Sequence, residues 1–441
     1  MVKIREDIEE NLDSQQEAYG ELSEGIQQKL EWFKDQKIGV IFHWGLYSEA
    51  GIVESWQLSE EDEWARKKGA WRGDIDQLRN DYWGLNQTFN PINFDPQHWA
   101  EKAKEAGFKY MLFTTKHHDG FNMYDTKFSE YKITAPTSKF HTNQQADILH
   151  YVNEAFRSVG INTGAYYSKA DWHSPDYWVP DQRPKGRFAS YDPKKNPEIW
   201  SRFDRFVENQ LVEICENYGP LDILWLDGGW VNSSNHEFLD MDRIVEKLRT
   251  IQPDLLMVDR TIGGKYEDYV TPERKIPEIP PVKAWESNIP LAKNWGYVPN
   301  DLYKSFEEIL ESMIKIVSLG GNVILGVGPK PDGTLPEESL KLMKQLGDWL
   351  AIFGDGIYGT RPISTVSSEE WYATQKGNKI YVFYKTKDSE IKINLTQISK
   401  FIQRVVDLET GEDCVYLNES IQVPVGKHIF GGLVIELEET V

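Results

Sequence analysis

The feature that most constrains the fold is a pattern repeated along the first 355 residues: an amphipathic helix, a turn, then a short and almost wholly apolar strand. It runs as AEKAKEAG then FKYMLFTTK, LHYVNEAFRSVG then INTGAYYS, and RFVENQLVEICENYGP then LDILWLDGG. It returns as DRIVEKLRTIQPD then LLMVDR, and as FEEILESMIKIVSLGG then NVILGVGP. KIGVIFHWG precedes these units as a first strand, VKAWESN supplies another, and KLMKQLGDWLAIFG reads as a closing helix. Strands that are apolar throughout are covered on both faces, and repeated βα units build a parallel sheet. Six or seven units with no glycine-rich phosphate loop after the first strand favour closure over an open doubly wound sheet. No clear helix falls between Thr261 and Lys283, so one unit is degenerate. The expected fold is a distorted (β/α)8-like barrel of the TIM type over residues 1–355, with an acidic N-terminal helix.

After GIYGTRP the period changes from helical to alternating. NKIYVFYK, SEIKINL, RVVDL, DCVYL and LVIEL read as short strands separated by turns such as KGN and ETGED. Residues 356–441 are therefore expected to form a C-terminal antiparallel β-sandwich, with a packing or accessory role.

Composition removes several function classes. With 70 acidic against 49 basic residues the formal charge is −21, which opposes nucleic acid and anionic membranes as partners. No apolar run approaches the roughly 20 residues of a membrane span. The acidic first 25 residues lack the apolar core of a signal peptide, so a cytoplasmic location is expected, although a removed leader would leave no trace. Cys215 and Cys414 have no CxxC or Cys/His spacing and read as reduced thiols.

In a βα barrel the chemistry sits at the C-terminal strand ends. There the sequence sets His43 and Trp44, then Lys116, His117, His118 and Asp119, then Tyr166 and Tyr167. Trp225 with Asp227, Asp259 with Arg260, and Trp285 with Glu286 follow on later strands. Polar groups are costly at apolar strand ends unless they share a solvated site, and six strands contribute them. The HHD run invites a metal, yet neighbours on a regular strand point to opposite faces, which keeps His117 and His118 from one ion. Neither HExxH nor a G-x-S-x-G elbow occurs. Two carboxyls on different strands, Asp227 and Glu286, suit glycoside hydrolysis, which needs a nucleophile or base and an acid about one bond. Gly228 and Gly229 leave room above Asp227, and Trp225 shares its face of the strand. On residues alone, Asp227 reads equally as a loop cap.

KIGVIFHWGLYS, FTTKHHDGFNMYDTKFSEY, GAYYS, LWLDGGW and AWESN, in this order, resemble the α-L-fucosidases of glycoside hydrolase family 29 over most of residues 30–362. The resemblance implies a retaining exo-glycosidase that removes terminal α-L-fucose from fucosylated glycans by double displacement, with no cofactor. It makes Asp227 the nucleophile and, through the WE of AWESN, Glu286 the acid/base, with Glu273 of TPERK as rival. It implies hydroxyl contacts from His43, His117 and His118, and further pocket positions at Tyr166, Trp225 and Arg260. Trp56 and Trp295 match the wall around the C6 methyl. Relatives with EWY contrast with ESWQL here, which puts the contact of that glutamate, Glu54 in this chain, in question. The HHDGFNMYDT segment is closer to relatives of relaxed linkage specificity. A metal-dependent TIM-barrel hydrolase and a non-catalytic sugar-binding protein are the competing readings, and a homo-oligomer is left open.

Overall fold

The structure, a computed structural model, describes residues 16–67, 69–363, 371–386, 390–392, 401–417, 420–423 and 426–438. The acidic N-terminal helix expected from the sequence lies outside the described residues as far as residue 15, and so does SEIKINL beyond Lys392.

Seven parallel strands form one curled sheet: β1 Ile38–Phe42, β2 Tyr110–Lys116, β3 Asn162–Ser168, β4 Ile223–Asp227, β5 Leu256–Asp259, β6 Glu286–Pro290 and β7 Asn322–Val327. Their order is β5-β4-β3-β2-β1-β7-β6. The flanks, β5 and β6, are joined by an extended segment in place of the missing βα unit. Val258 pairs with Glu267, Val270 with Trp285, and Glu273 with Asn288 through isolated bridges. After a single 3-10 turn at Gly264–Tyr266, prolines at 272, 277, 280 and 281 explain why the rest of this segment forms neither α-helix nor regular strand. The expectation of a distorted TIM-like barrel with one degenerate unit agrees with this sheet.

Side chains alternate across the strands with period two. Ile38, Val40 and Phe42 face the surrounding helices, while Ile41 joins Tyr110, Leu112, Tyr166, Ile223, Trp225, Leu256, Val258 and Ile324 inside the barrel. The helix Glu24–Gln36, started by Ser23, whose hydroxyl accepts from the Ile26 N–H, closes the N-terminal end. Its buried stripe of Ile26, Leu30 and Phe33 enters the same cluster, and Phe33 stacks on Tyr269 at 4.2 Å. With one end plugged by apolar side chains, the open end is where the strands terminate.

Beyond the barrel, β8 Arg361–Pro362, β9 Trp371–Lys376, β10 Lys379–Lys385, β11 Glu390–Lys392, β12 Ile402–Asp407, β13 Val415–Leu417, β14 Ser420–Gln422 and β15 Phe430–Leu437 form two antiparallel sheets. Ile380, Val382, Leu433 and Ile435 of the larger sheet share a core with Ile421 of the smaller. The opposite face of the larger sheet packs through Phe383 on Trp349, whose indole donates to the Phe430 carbonyl at 3.0 Å. This places the C-terminal sheets on the outer helices. Among the described residues no helix is long and apolar enough to cross a membrane.

Candidate active site

A cavity of about 410 Å³ opens at the C-terminal ends of the strands. Asp227, the last residue of β4, faces into it two positions above Trp225. The next residue, Gly228, turns the chain at a φ of 87°, a conformation that L side chains rarely adopt. A Cβ on Gly229 would come within 1.6 Å of the Thr261 hydroxyl, so this glycine lets the turn after β4 pack on the chain that follows β5. The Tyr166 hydroxyl donates to Asp227 Oδ2 at 2.6 Å and Arg260 Nη1 donates to Oδ1 at 3.0 Å. Burial opposes ionisation of Asp227. Arg260, His118, the Tyr166 hydroxyl and the Gly228 N–H outweigh it and hold this carboxyl far below the usual carboxylate range.

Three histidines line the same cavity. Strand β2 ends at Lys116, so His117 and His118 sit on the turn that follows and both rings reach the pocket, with centroids 4.1 Å apart. This corrects the opposite-face expectation, which assumed a strand continuing through both residues. Ser55 Oγ lies 2.6 Å from His117 Nδ1, and Ser168 Oγ lies 2.7 Å from His118 Nδ1. Each ring thereby keeps Nε2 for another partner. Burial lowers all three histidines, His117 to about 4 and His43 and His118 well below their ordinary value. They are neutral imidazoles at pH 7, each able to donate at one nitrogen and accept at the other, as a sugar hydroxyl requires. Among the described residues no group of three or more His, Cys, Asp or Glu is arranged to hold a metal ion.

The second carboxyl of the pocket is Glu273. Arg260 Nη2 donates to it while Nη1 of the same guanidinium holds Asp227, and the Trp295 indole N–H donates to Glu273 Oε1 at 3.0 Å. Trp295 also stacks on His43 at 5.1 Å. Its position rests on Glu54, which accepts from the backbone N–H groups of Trp295 and Gly296 at 2.8 and 2.7 Å. Glu54 thus keeps a place in the pocket despite the altered motif. Burial pushes its carboxyl up to about 7.

Glu286 stands elsewhere. It opens β6 instead of ending it, with its partner Asn322 opening β7, so it lies at the plugged end of the barrel. Asn288, two residues later on the same face, lines the cavity; Glu286 is about 6–7 Å deeper along the strand. Fully buried, it accepts from the Tyr110 hydroxyl at 2.5 Å, and burial raises it to about 8. The expectation that Glu286 faces Asp227 is corrected by strand direction: the residue that begins a strand points to the opposite end.

The structure thus brings together His43, Trp56, His117, His118, Tyr166, Trp225, Asp227, Arg260 and Trp295, and leaves Glu286 out. It adds Trp64, Arg187, Arg274, Asn288, Lys293 and Asn294. Arg187 lies over the rings of Trp56 and Trp230 at 4.7 and 5.1 Å. Arg187 and Trp64 come from long aperiodic loops, where residue type and spacing carry no positional signal.

Fold and pocket together describe a carbohydrate-active hydrolase, and comparison with known proteins narrows that class. The sequence model of the alpha-L-fucosidase family matches residues 8–355. The alpha-L-fucosidase of Dictyostelium discoideum is 25% identical over 375 residues, covering 80% of this chain and 77% of that protein. The solved structure of alpha-L-fucosidase isoenzyme 1 from Paenibacillus thiaminolyticus superposes with a TM-score of 0.77 at 28% identity, covering 94% of this chain and all of that one. The Thermotoga maritima alpha-fucosidase in complex with fucose gives 0.74 at 26% identity, covering 95% of this chain and 100% of the other. The chain belongs to the alpha-L-fucosidase family, glycoside hydrolase family 29.

Proposed function

We propose that this chain hydrolyses terminal α-L-fucosides with retention of configuration, using Asp227 as nucleophile and Glu273 as acid/base. The observation that carries the assignment is the single guanidinium of Arg260 shared by both carboxyls. It keeps them close together, as retaining glycosidases require of their pair, typically about 5–5.5 Å apart. It also favours the anionic form of the residue that must attack.

In the first step Asp227 bonds to the anomeric carbon as the bond to the leaving oxygen breaks, and Glu273 gives its proton to that oxygen. In the second step Glu273 takes a proton from water, whose oxygen attacks the anomeric carbon and releases Asp227. Positive charge that develops on the ring in both transition states is stabilised by ionised Asp227. His43, His117 and His118 supply hydroxyl contacts without adding cations beside that charge. An aromatic wall accepts the C6 methyl of fucose and would leave the 6-hydroxyl of another hexose without a partner, which discriminates against it.

The chain's division into a catalytic unit, 1–355, and an accessory β unit, 356–441, is part of this proposal; the family match ending at residue 355 supports it. The test is proton NMR of an aryl α-L-fucoside during turnover. α-L-Fucose is expected as the first-formed anomer. First-formed β-fucose would reject retention, and no turnover would reject the enzymatic reading.

A further inference from the structure

We infer that Trp64 is the platform of a leaving-group subsite, on which the face of a pyranose ring attached to the fucose stacks. This rests on the glycosidase reading above and names the class of aglycone that the pocket takes.

Trp64 lines the same cavity as Asp227 and Glu273 yet is 50% exposed, whereas Trp172, Trp225 and Trp230 of the surrounding wall are at most 3% exposed. The aromatic wall is graded in depth. His118, whose Nε2 is 3.8 Å from Asp227 Oδ2, meets the ring of Trp56 at 5.0 Å, and Trp56 meets Trp64 at 5.7 Å. A fucose ring over Asp227 lies against the inner part of this wall, so whatever stacks on half-exposed Trp64 lies outside it, where the rest of a terminally fucosylated glycan must extend. The cavity's 410 Å³ falls in the range of roughly 300–1,000 Å³ that encloses ligands larger than one sugar.

The indole is held in place. Its N–H donates to Asp62 Oδ1 at 3.2 Å. Asp62 is only 4% exposed and is itself fixed by Arg187 at 2.6 Å and by the Ser59 hydroxyl at 2.5 Å. Arg187 in turn lies over Trp56, so one clamp sets both rings. A rigid, half-exposed indole with its polar edge already satisfied offers a flat apolar face, and binding there costs little side-chain ordering. The C–H face of a pyranose matches such a surface. Lys293 and Asn294 also line the cavity, beside Trp295.

The experiment compares kcat/KM for α-L-fucosyl fluoride, whose leaving group is one atom, with kcat/KM for a panel of fucosyl disaccharides. The panel holds fucose linked α1,2 to galactose and α1,3, α1,4 and α1,6 to N-acetylglucosamine. For the best disaccharide, Trp64→Ala is expected to lower the disaccharide-to-fluoride ratio roughly tenfold, the scale of one aromatic stacking contact. Trp64→Phe is expected to keep most of it. A ratio unchanged in Trp64→Ala, whether both activities persist or both fall together, would overturn the inference and make Trp64 a support for Trp56. Wild-type turnover of the fluoride with no disaccharide cleaved would also overturn it. If the wild type cleaves neither, it is the glycosidase reading that fails.

Discussion

The two ends of the barrel hold buried carboxyls in contrasting company. At the open end, Asp227 and Glu273 share Arg260, and Asp227 also has the Tyr166 hydroxyl and His118 beside it. At the plugged end, Glu286 has the Tyr110 hydroxyl and the Trp225 indole for company, beside the apolar side chains of the helix Glu24–Gln36. Burial penalises the charged form in both places. Only at Asp227 do a cation and hydrogen-bond donors exceed that penalty. Burial favours the neutral acid at Glu286, while at Asp227 a guanidinium together with the Tyr166 hydroxyl and the Gly228 N–H reverses that preference. The nucleophile needs the anionic form, and the fold supplies it where β4 ends.

The largest effect expected from breaking this contrast is at Asp227. Asp227→Ala should lose more than ~10⁴-fold in kcat, since the covalent step has no substitute. Added azide should restore part of it and yield β-fucosyl azide. Glu273→Gln comes next, with a loss of ~10²–10⁴-fold on a fucosyl disaccharide and much less on α-L-fucosyl fluoride, which needs no protonated leaving oxygen. Equal losses on both substrates would remove Glu273 from the acid role.

Arg260→Met tests what separates the two ends. Without the cation, burial dominates at Asp227 and its pKa rises, so the acid limb of kcat/KM against pH should move to higher pH. An unmoved limb would assign the ionisation of Asp227 to another group.

The smallest effect on activity belongs to Glu286→Gln, expected to keep kcat within about threefold, in contrast to Glu273→Gln. Its effect is on stability and depends on pH. The folded-state pKa is raised from 4.5 to about 8, so folding retains a proton that the unfolded chain has released. Wild-type stability from this group is therefore full below about pH 4.5 and declines as pH rises to about 8. Relative to wild type, the melting temperature of the Gln variant should climb across that window and level off above it. Parallel melting curves across pH would show that Glu286 is not the buried neutral acid described here.

Much of this was legible in the sequence. Six strands were readable because both of their faces are apolar, and the ends of β1 to β4 carried most of the pocket. Arg260, immediately after β5, was readable in the same way. The strand β6 was harder: ESNIP has one large apolar residue, because Glu286 and Asn288 face the barrel interior. Its boundary was therefore set by the WE pair, which put Glu286 at the wrong end. Glu273 lay in a proline-interrupted segment with no period, so its partnership with Arg260 was visible only in three dimensions. Trp64 and Arg187 are separated by more than a hundred residues, and the clamp they form through Asp62 leaves no sequence spacing to detect.

The most direct measurement traps the covalent intermediate. Incubating the protein with 2-deoxy-2-fluoro-α-L-fucosyl fluoride and mapping its peptides by mass spectrometry should find one fluorofucosyl group, esterified to Asp227 in the peptide containing LWLDGGW. A label on Glu273, Glu286 or any other carboxyl would contradict the assignment of Asp227 as the nucleophile.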